Sequence, residues 1–126
     1  GGKVLMLLDK LEASMDSASR EDYYAFPYET NLDDMLFKYG VRINPDLLQD
    51  RTSGLYPVIT GTSGSRPQMQ LMDWPFYPLI NQYGEHTITR NLDAVLTRFV
   101  SSIDTVKAVG VMKTPLMKTS VYARSI

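Results

Sequence analysis

A single histidine, His86, and the absence of cysteine limit what chemistry this chain of 126 residues can perform. Nucleophilic catalysis combines a nucleophile, a base and a group that orients the base. Without cysteine, a thiol nucleophile, a thiolate metal site and a disulfide framework are excluded. A serine hydrolase would have to use His86, which sits in Gly84-Glu85-His86-Thr87, a stretch that reads as a loop leading to a helix. No G-x-S-x-G elbow occurs to present a serine, and the nearest approach, Thr62-Ser63-Gly64-Ser65, falls at a predicted hairpin tip. His86 therefore reads first as a structural or solvent-facing side chain. A hydrolase pairing it with a serine or a carboxylate is the alternative.

Other site chemistries find little to work with. Phosphate cradles need glycine-bared amides followed by a helix N-terminus. Gly61-Thr62-Ser63-Gly64-Ser65 lacks the G-K-[ST] ending and precedes a strand. A metal would have to rely on carboxylates. The adjacent pair Asp33-Asp34 points in two directions on a helix and is explained by the helix dipole. Asp16, Glu21 and Asp22 match no calcium-loop spacing. No metal and no cofactor is expected. Asp9 stands apart, because it ends an apolar run that reads as a parallel strand, and open α/β sheets bind ligands at the carboxyl ends of strands. Its simpler role is that of a turn or cap residue.

Two aromatic groups are candidates for binding. Tyr23, Tyr24, Phe26 and Tyr28 form one, and Trp74, Phe76 and Tyr77 form the other. Each can serve as a platform for a peptide, a protein or a sugar, since Tyr and Trp are favoured interface anchors. Their simpler reading is a lid of large side chains that covers the core.

Bulk properties narrow the class. Apolar residues make up 44% and charged residues 21%, ordinary for a folded globular chain and unlike disordered or collagen-like sequences. Thirteen basic against fourteen acidic side chains leave a net charge of −1, so no field draws in nucleic acid or an anionic membrane. No apolar run approaches the roughly 20 residues of a bilayer span. The opening on a strand behind two glycines suggests a domain within a longer protein.

The elements that would position these residues follow from periodicity. Lys3 to Leu8 is continuously apolar, the pattern of a strand covered on both faces. Lys10 to Thr30 lacks a clean period and reads as a long loop. Leu32, Met35, Leu36 and Tyr39 mark one stripe of a helix over Asn31 to Tyr39, with Asn31 as cap and Gly40 as stop. Val41 to Asn44 and Leu47 to Asp50 read as short strands bent at Pro45. Tyr56 to Thr62 and Gln68 to Asp73 form a β-hairpin around Ser63-Gly64-Ser65-Arg66. The prolines of Trp74-Pro75-Phe76-Tyr77-Pro78 keep that stretch extended. Leu92, Val95, Leu96 and Phe99 predict a second helix over Asn91 to Ser101, followed by strands at Ile103 to Val111 and Leu116 to Val121. Helices interleaved with strands predict a single α/β domain over 1–126, a layered mixed sheet with flanking helices and a β-hairpin insertion.

The stretch from Asn31 through Asp50, NLDDMLFKYGVRINPDLLQD, resembles the GldG family of gliding-motility-associated ABC-transporter auxiliary proteins. Gly1-Gly2-Lys3-Val4-Leu5, Gln70-Leu71, Trp74-Pro75-Phe76-Tyr77-Pro78-Leu79-Ile80, Ser101-Ser102-Ile103-Asp104 and Lys113-Thr114-Pro115-Leu116-Met117-Lys118-Thr119-Ser120 resemble further family segments in the same order. The resemblance implies a periplasmic, extracytoplasmic domain of an inner-membrane-anchored auxiliary subunit, mostly in Bacteroidetes-type bacteria. It implies permease and ATPase subunits as partners of the full-length protein, and a fold similar to class I glutamine amidotransferases, a flavodoxin-like architecture. Amidotransferase chemistry needs a catalytic cysteine, which this chain lacks, so the expectation is a non-catalytic binding domain rather than an enzyme. A saccharide- or peptide-binding module using the aromatic loop is a further alternative. The candidate contact residues are Asp9, Tyr23, Tyr24, Tyr28, Trp74, Tyr77 and His86.

Overall fold

The computed structural model describes residues 1–18 and 24–126. In chain order its elements are β1 (Leu11–Glu12), α1 (Met15–Ala18), β2 (Phe26–Pro27), α2 (Asp33–Lys38), β3 (Val41–Ile43), β4 (Leu48–Gln49), β5 (Ser53–Ser63), β6 (Arg66–Ile80), β7 (Gln82–Tyr83), β8 (Val95–Leu96), β9 (Ile103–Thr105), β10 (Met117–Lys118) and β11 (Arg124–Ser125). Every pairing among the described strands is antiparallel, and the sheets have two or three strands. The expected α/β layered, flavodoxin-like fold is therefore overturned. The two helices among the described residues span 4 and 6 residues, too short to cover the faces of a sheet. No described helix is long and apolar enough to cross a membrane.

The chain forms two compact units, Gly1–Leu47 with Val100–Lys113, and Leu48–Phe99 with Thr114–Ile126. In the first unit β1 pairs with β2, and β3 pairs with β9 in the register Val41↔Thr105 and Ile43↔Ile103. The predicted helix is present as α2, shorter than its stripe. Asn31 does not cap it. That residue takes a left-handed φ of 55°, and Leu32 stands at the N-cap position without a side-chain bond. Gly40 stops α2 as expected with φ 79°. A side chain there would also collide with Lys113, whose Cδ lies 2.6 Å from a Cβ built on Gly40. Lys113 Nζ donates to the Val106 carbonyl at 2.8 Å, and the Val106 N–H donates to the Gly40 carbonyl at 2.9 Å. Asp46 ties the unit together by accepting from the Ser102 N–H at 2.8 Å and its hydroxyl at 2.6 Å.

The second unit is dominated by the β5–β6 hairpin. It turns at Gly64, whose φ is 65°, and runs on through the proline-rich stretch to Ile80. This hairpin was legible, and it is longer than its pattern suggests. Its base carries the unit's core. Tyr77, Pro78 and Ile80 are buried there, and β8 pairs with its end in the register Leu79↔Leu96 and Ile80↔Val95. Two short pairs, β4 with β11 and β7 with β10, complete the unit.

Two further expectations fail for identifiable reasons. Residues 3–8 form no strand, and Val4, Leu5 and Leu7 are exposed. A strand needs a neighbour for its backbone groups, and no described strand pairs with this run. Residues 91–101 form no helix. A helix would take the Thr97 N–H to the carbonyl of Asp93. Instead the Thr97 N–H donates to the Pro78 carbonyl and the Phe99 N–H to the Phe76 carbonyl, both at 2.9 Å. The Tyr83 hydroxyl occupies the Asp93 carbonyl. Non-local pairing with β6 has captured a segment whose spacing alone suits a helix. The strands foreseen over 103–111 and 116–121 shrink to β9 and β10.

Candidate functional site

The sequence candidates divide between the two units. Asp9, Tyr24 and Tyr28 lie in the first, Trp74, Tyr77 and His86 in the second, and Tyr23 lies outside the described residues.

In the first unit the pairing of β1 with β2 aligns Leu11 with Pro27 and Glu12 with Phe26, and the Tyr28 N–H extends it by donating to the Lys10 carbonyl at 2.8 Å. Phe26 lies in β2, and Tyr24 and Tyr28 lie two residues to either side of it. All three are exposed, Tyr24 to 71%. Beside them lies a hollow of about 460 Å³ bounded by Lys10, Tyr28, Asn31, Asp33 and Asp34. Lys10 Nζ donates to both carboxylate oxygens of Asp33, at 2.8 and 2.7 Å, and so links β1 to the first turn of α2. The arrangement is an aromatic strip held by a short ladder and an ion pair. It has the chemistry of a contact surface, large apolar faces with polar hydroxyl ends. Asp9, expected at a strand end, lies in exposed irregular chain, because the strand before it does not form.

In the second unit the aromatics turn inward. Tyr77 is 5% exposed. Its ring meets Phe99 edge-on at 5.5 Å and Tyr56 edge-on at 6.0 Å, while Trp74 lies 5.9 Å from Tyr56 and 6.3 Å from Phe76. The Arg98 guanidinium stands 5.3 Å over the Tyr77 ring. Burial raises the Tyr77 hydroxyl above its ordinary value of 10.0, although Arg98 opposes the shift. Trp74 and Tyr77 are thus packing residues of the hairpin base.

His86 is exposed. Its Nδ1 accepts the Ile88 N–H at 3.2 Å, so the ring closes its own turn. Thr89 supports that turn by donating its hydroxyl to the carbonyls of Gly84 and His86 at 2.9 and 3.2 Å. Among the described residues no serine hydroxyl or carboxylate bonds to the His86 ring. The geometry a hydrolase would need, a base in contact with a nucleophile or an orienting acid, is not formed there. Among the described residues no cluster of His, Asp and Glu could hold a metal ion.

Sequence reasoning missed Asp50. It is 2% exposed, and its carboxylate accepts from the Thr52 N–H at 2.9 Å and from the Ser120 N–H at 2.7 Å, and also from the Ser120 hydroxyl. Burial disfavours the charge. Donation from the Ser120 hydroxyl and from the Thr52, Ser120 and Arg51 backbones outweighs it, and the carboxyl is held below its ordinary 3.8. Asp50-Arg51-Thr52 is a local Asx turn, which sequence can suggest. The tie to Ser120, 70 residues on, has no local signal. Arg51 and Tyr122 emerge on either side of this tie, the guanidinium 5.7 Å over the ring.

All of residues 1–126 match the family model described as an ABC-type uncharacterized transport system. The chain belongs to this family. It is an auxiliary component of an ABC transport system. The match covers both units, so the exposed aromatic residues of the first and the packed hairpin base of the second are parts of the same family segment. No curated protein and no solved structure matches the chain.

Proposed function

We propose that this chain is a non-catalytic, extracytoplasmic binding domain of a GldG-like auxiliary subunit, and that it recognises a protein of its own transport complex through Tyr24, Phe26 and Tyr28. The observation that carries this reading is the exposure of three aromatic side chains at and beside β2. Aromatic anchors supply large contact area at low entropic cost and dominate the energetics of many interfaces. The transporter's permease is the partner favoured, with the ATPase joined through the full-length protein. A periplasmic location and a link to gliding follow from the likeness to GldG.

The test is co-purification from cells of the full-length protein carrying Tyr24→Ala, Phe26→Ala and Tyr28→Ala together. The reading expects the permease to be recovered with the unsubstituted protein and lost with the triple variant at equal expression. Undiminished recovery of the permease with the triple variant would refute it.

A further inference from the structure

Two arginines of the second unit are held in place by neutral groups. The pairing of β4 with β11 sets Arg124 opposite Gln49, and the Arg124 Nε–H donates to the Gln49 side-chain oxygen at 2.9 Å. Just beyond β4, the Arg51 guanidinium lies 5.7 Å over the Tyr122 ring. An amide orients one guanidinium and an aromatic face the other, and neither group cancels a charge. Among the described residues neither arginine forms an ion pair, whereas Lys10 and Arg42 are matched by Asp33 and Asp104. Of the five N–H donors on each fork, Arg124 spends one on Gln49 and Arg51 spends none on a described residue.

The buried Asp50 fixes the backbone that carries both. Its N–H donates to the Pro75 carbonyl at 2.9 Å, which fastens the end of β4 to β6. Its carboxylate holds Ser120, and the Ser120 hydroxyl oxygen in turn accepts the Tyr122 N–H at 3.1 Å. The Ala123 N–H closes the same turn on the Ser120 carbonyl at 3.2 Å. One carboxylate thus sets the chain around a hollow of about 320 Å³, lined by Gln49, Asp50, Arg51, Pro75, Tyr122 and Arg124. Both Asp50 oxygens already accept from Thr52 or Ser120. The unspent donors on the lining therefore belong to the two guanidiniums.

We propose that this hollow is a binding site for a small oxyanion, a phosphate or carboxylate group on a solute, held by Arg51 and Arg124. A planar guanidinium fork meets two oxygens of either group at once. The volume lies at the lower end of ligand pockets, roughly 300–1,000 Å³, and so suits a small solute. The arginines stand on different strands but share one buried tie, and such preorganisation lowers the entropy lost on binding. Both are exposed, so water and salt screen the attraction, and a dissociation constant on the order of 1 mM at low salt is expected.

Titration of the isotope-labelled chain with inorganic phosphate, and separately with succinate, tests this by nuclear magnetic resonance of the arginine Nε–H groups. Low salt and about pH 8 keep a phosphate group close to doubly charged. Saturable shifts at Arg51 and Arg124 are expected, with half-saturation below about 5 mM for at least one anion. The tighter anion tells whether the solute's group is phosphate or carboxylate. Arg51→Gln and Arg124→Gln should each weaken binding about tenfold or more. Arg66→Gln, at the hairpin tip, should leave it within about twofold. Backbone amide shifts confirm the fold of each variant. Half-saturation above about 5 mM with both anions would overturn the proposal. So would a loss in Arg66→Gln equal to that in Arg51→Gln, the mark of a general charge effect.

Discussion

Two aromatic groups of similar composition meet opposite fates in this molecule. Phe26 stands in the two-residue β2 with Tyr24 and Tyr28 to either side, all three exposed, whereas Trp74, Phe76 and Tyr77 lie at the base of a long hairpin and pack on Tyr56 and Phe99. Composition does not separate them. What differs is the backbone that each belongs to. The hairpin extends β6 far enough for Thr97 and Phe99 to bond along its end, and this pairing brings the Phe99 ring onto Phe76 and Tyr77. β2 has β1 as its partner, and among the described residues no third strand joins that pair. Aromatic side chains become core where long-range pairing brings cover, and surface where it does not.

That contrast can be broken by substitution. Tyr77→Ala, at the centre of the packed group, is expected to cost about 3–5 kcal/mol in chemical denaturation, by analogy with other buried aromatic truncations. Phe26→Ala is expected to change stability by less than about 0.5 kcal/mol, the range of ordinary surface changes. Equal losses at both positions would erase the distinction between the two groups.

Asp50 comes next in size. Asp50→Asn leaves an amide facing three hydrogen-bond donors, and a loss of about 2–3 kcal/mol is expected. The pH dependence has a definite sign. The folded carboxyl lies below its ordinary 3.8, so the native state binds fewer protons than the unfolded chain in that range. The stabilisation is fully present above pH 3.8 and is lost as pH falls through the folded-state value. Thermal melts between pH 2 and 6 should show this loss in the natural chain and a smaller one in Asp50→Asn. A steeper acid loss in the variant would contradict the assignment.

A small effect is expected at the base of the outward group. Lys10→Met removes the ion pair with Asp33, whose carboxylate is largely solvent-exposed, so no more than about 1 kcal/mol is at stake. The sharper reading is ionic strength. Any measured loss should shrink as salt rises, because exposed pairs are screened. A loss unchanged in 1 M salt would mean that packing of the Lys10 stem carries the contact.

Local rules read well where local interactions decide the outcome. Gly40 stops α2, Pro45 separates β3 from β4, and Gly64 turns the hairpin, each through the backbone freedom or restriction of one residue. They misread segments whose partners lie far along the chain. Leu92, Val95, Leu96 and Phe99 have helical spacing, yet the carbonyls of Phe76 and Pro78 claim that backbone. The apolar run at residues 3–8 has the composition of a buried strand but lacks a ladder to join. The site was half legible for the same reason. The aromatic residues stood out by type, while their exposure depended on pairings no periodicity encodes, and the Asp50–Ser120 tie spans most of the second unit's sequence.

The central claim is that the outward aromatic group, and not the packed one, is the contact surface. Site-specific photo-crosslinking in cells tests it most directly, with a photoreactive residue placed in the full-length protein at position 26 or at position 77. The account predicts a crosslink to the transporter's permease from position 26 and none from position 77. Crosslinking from 77 but not 26, or from neither, would contradict it.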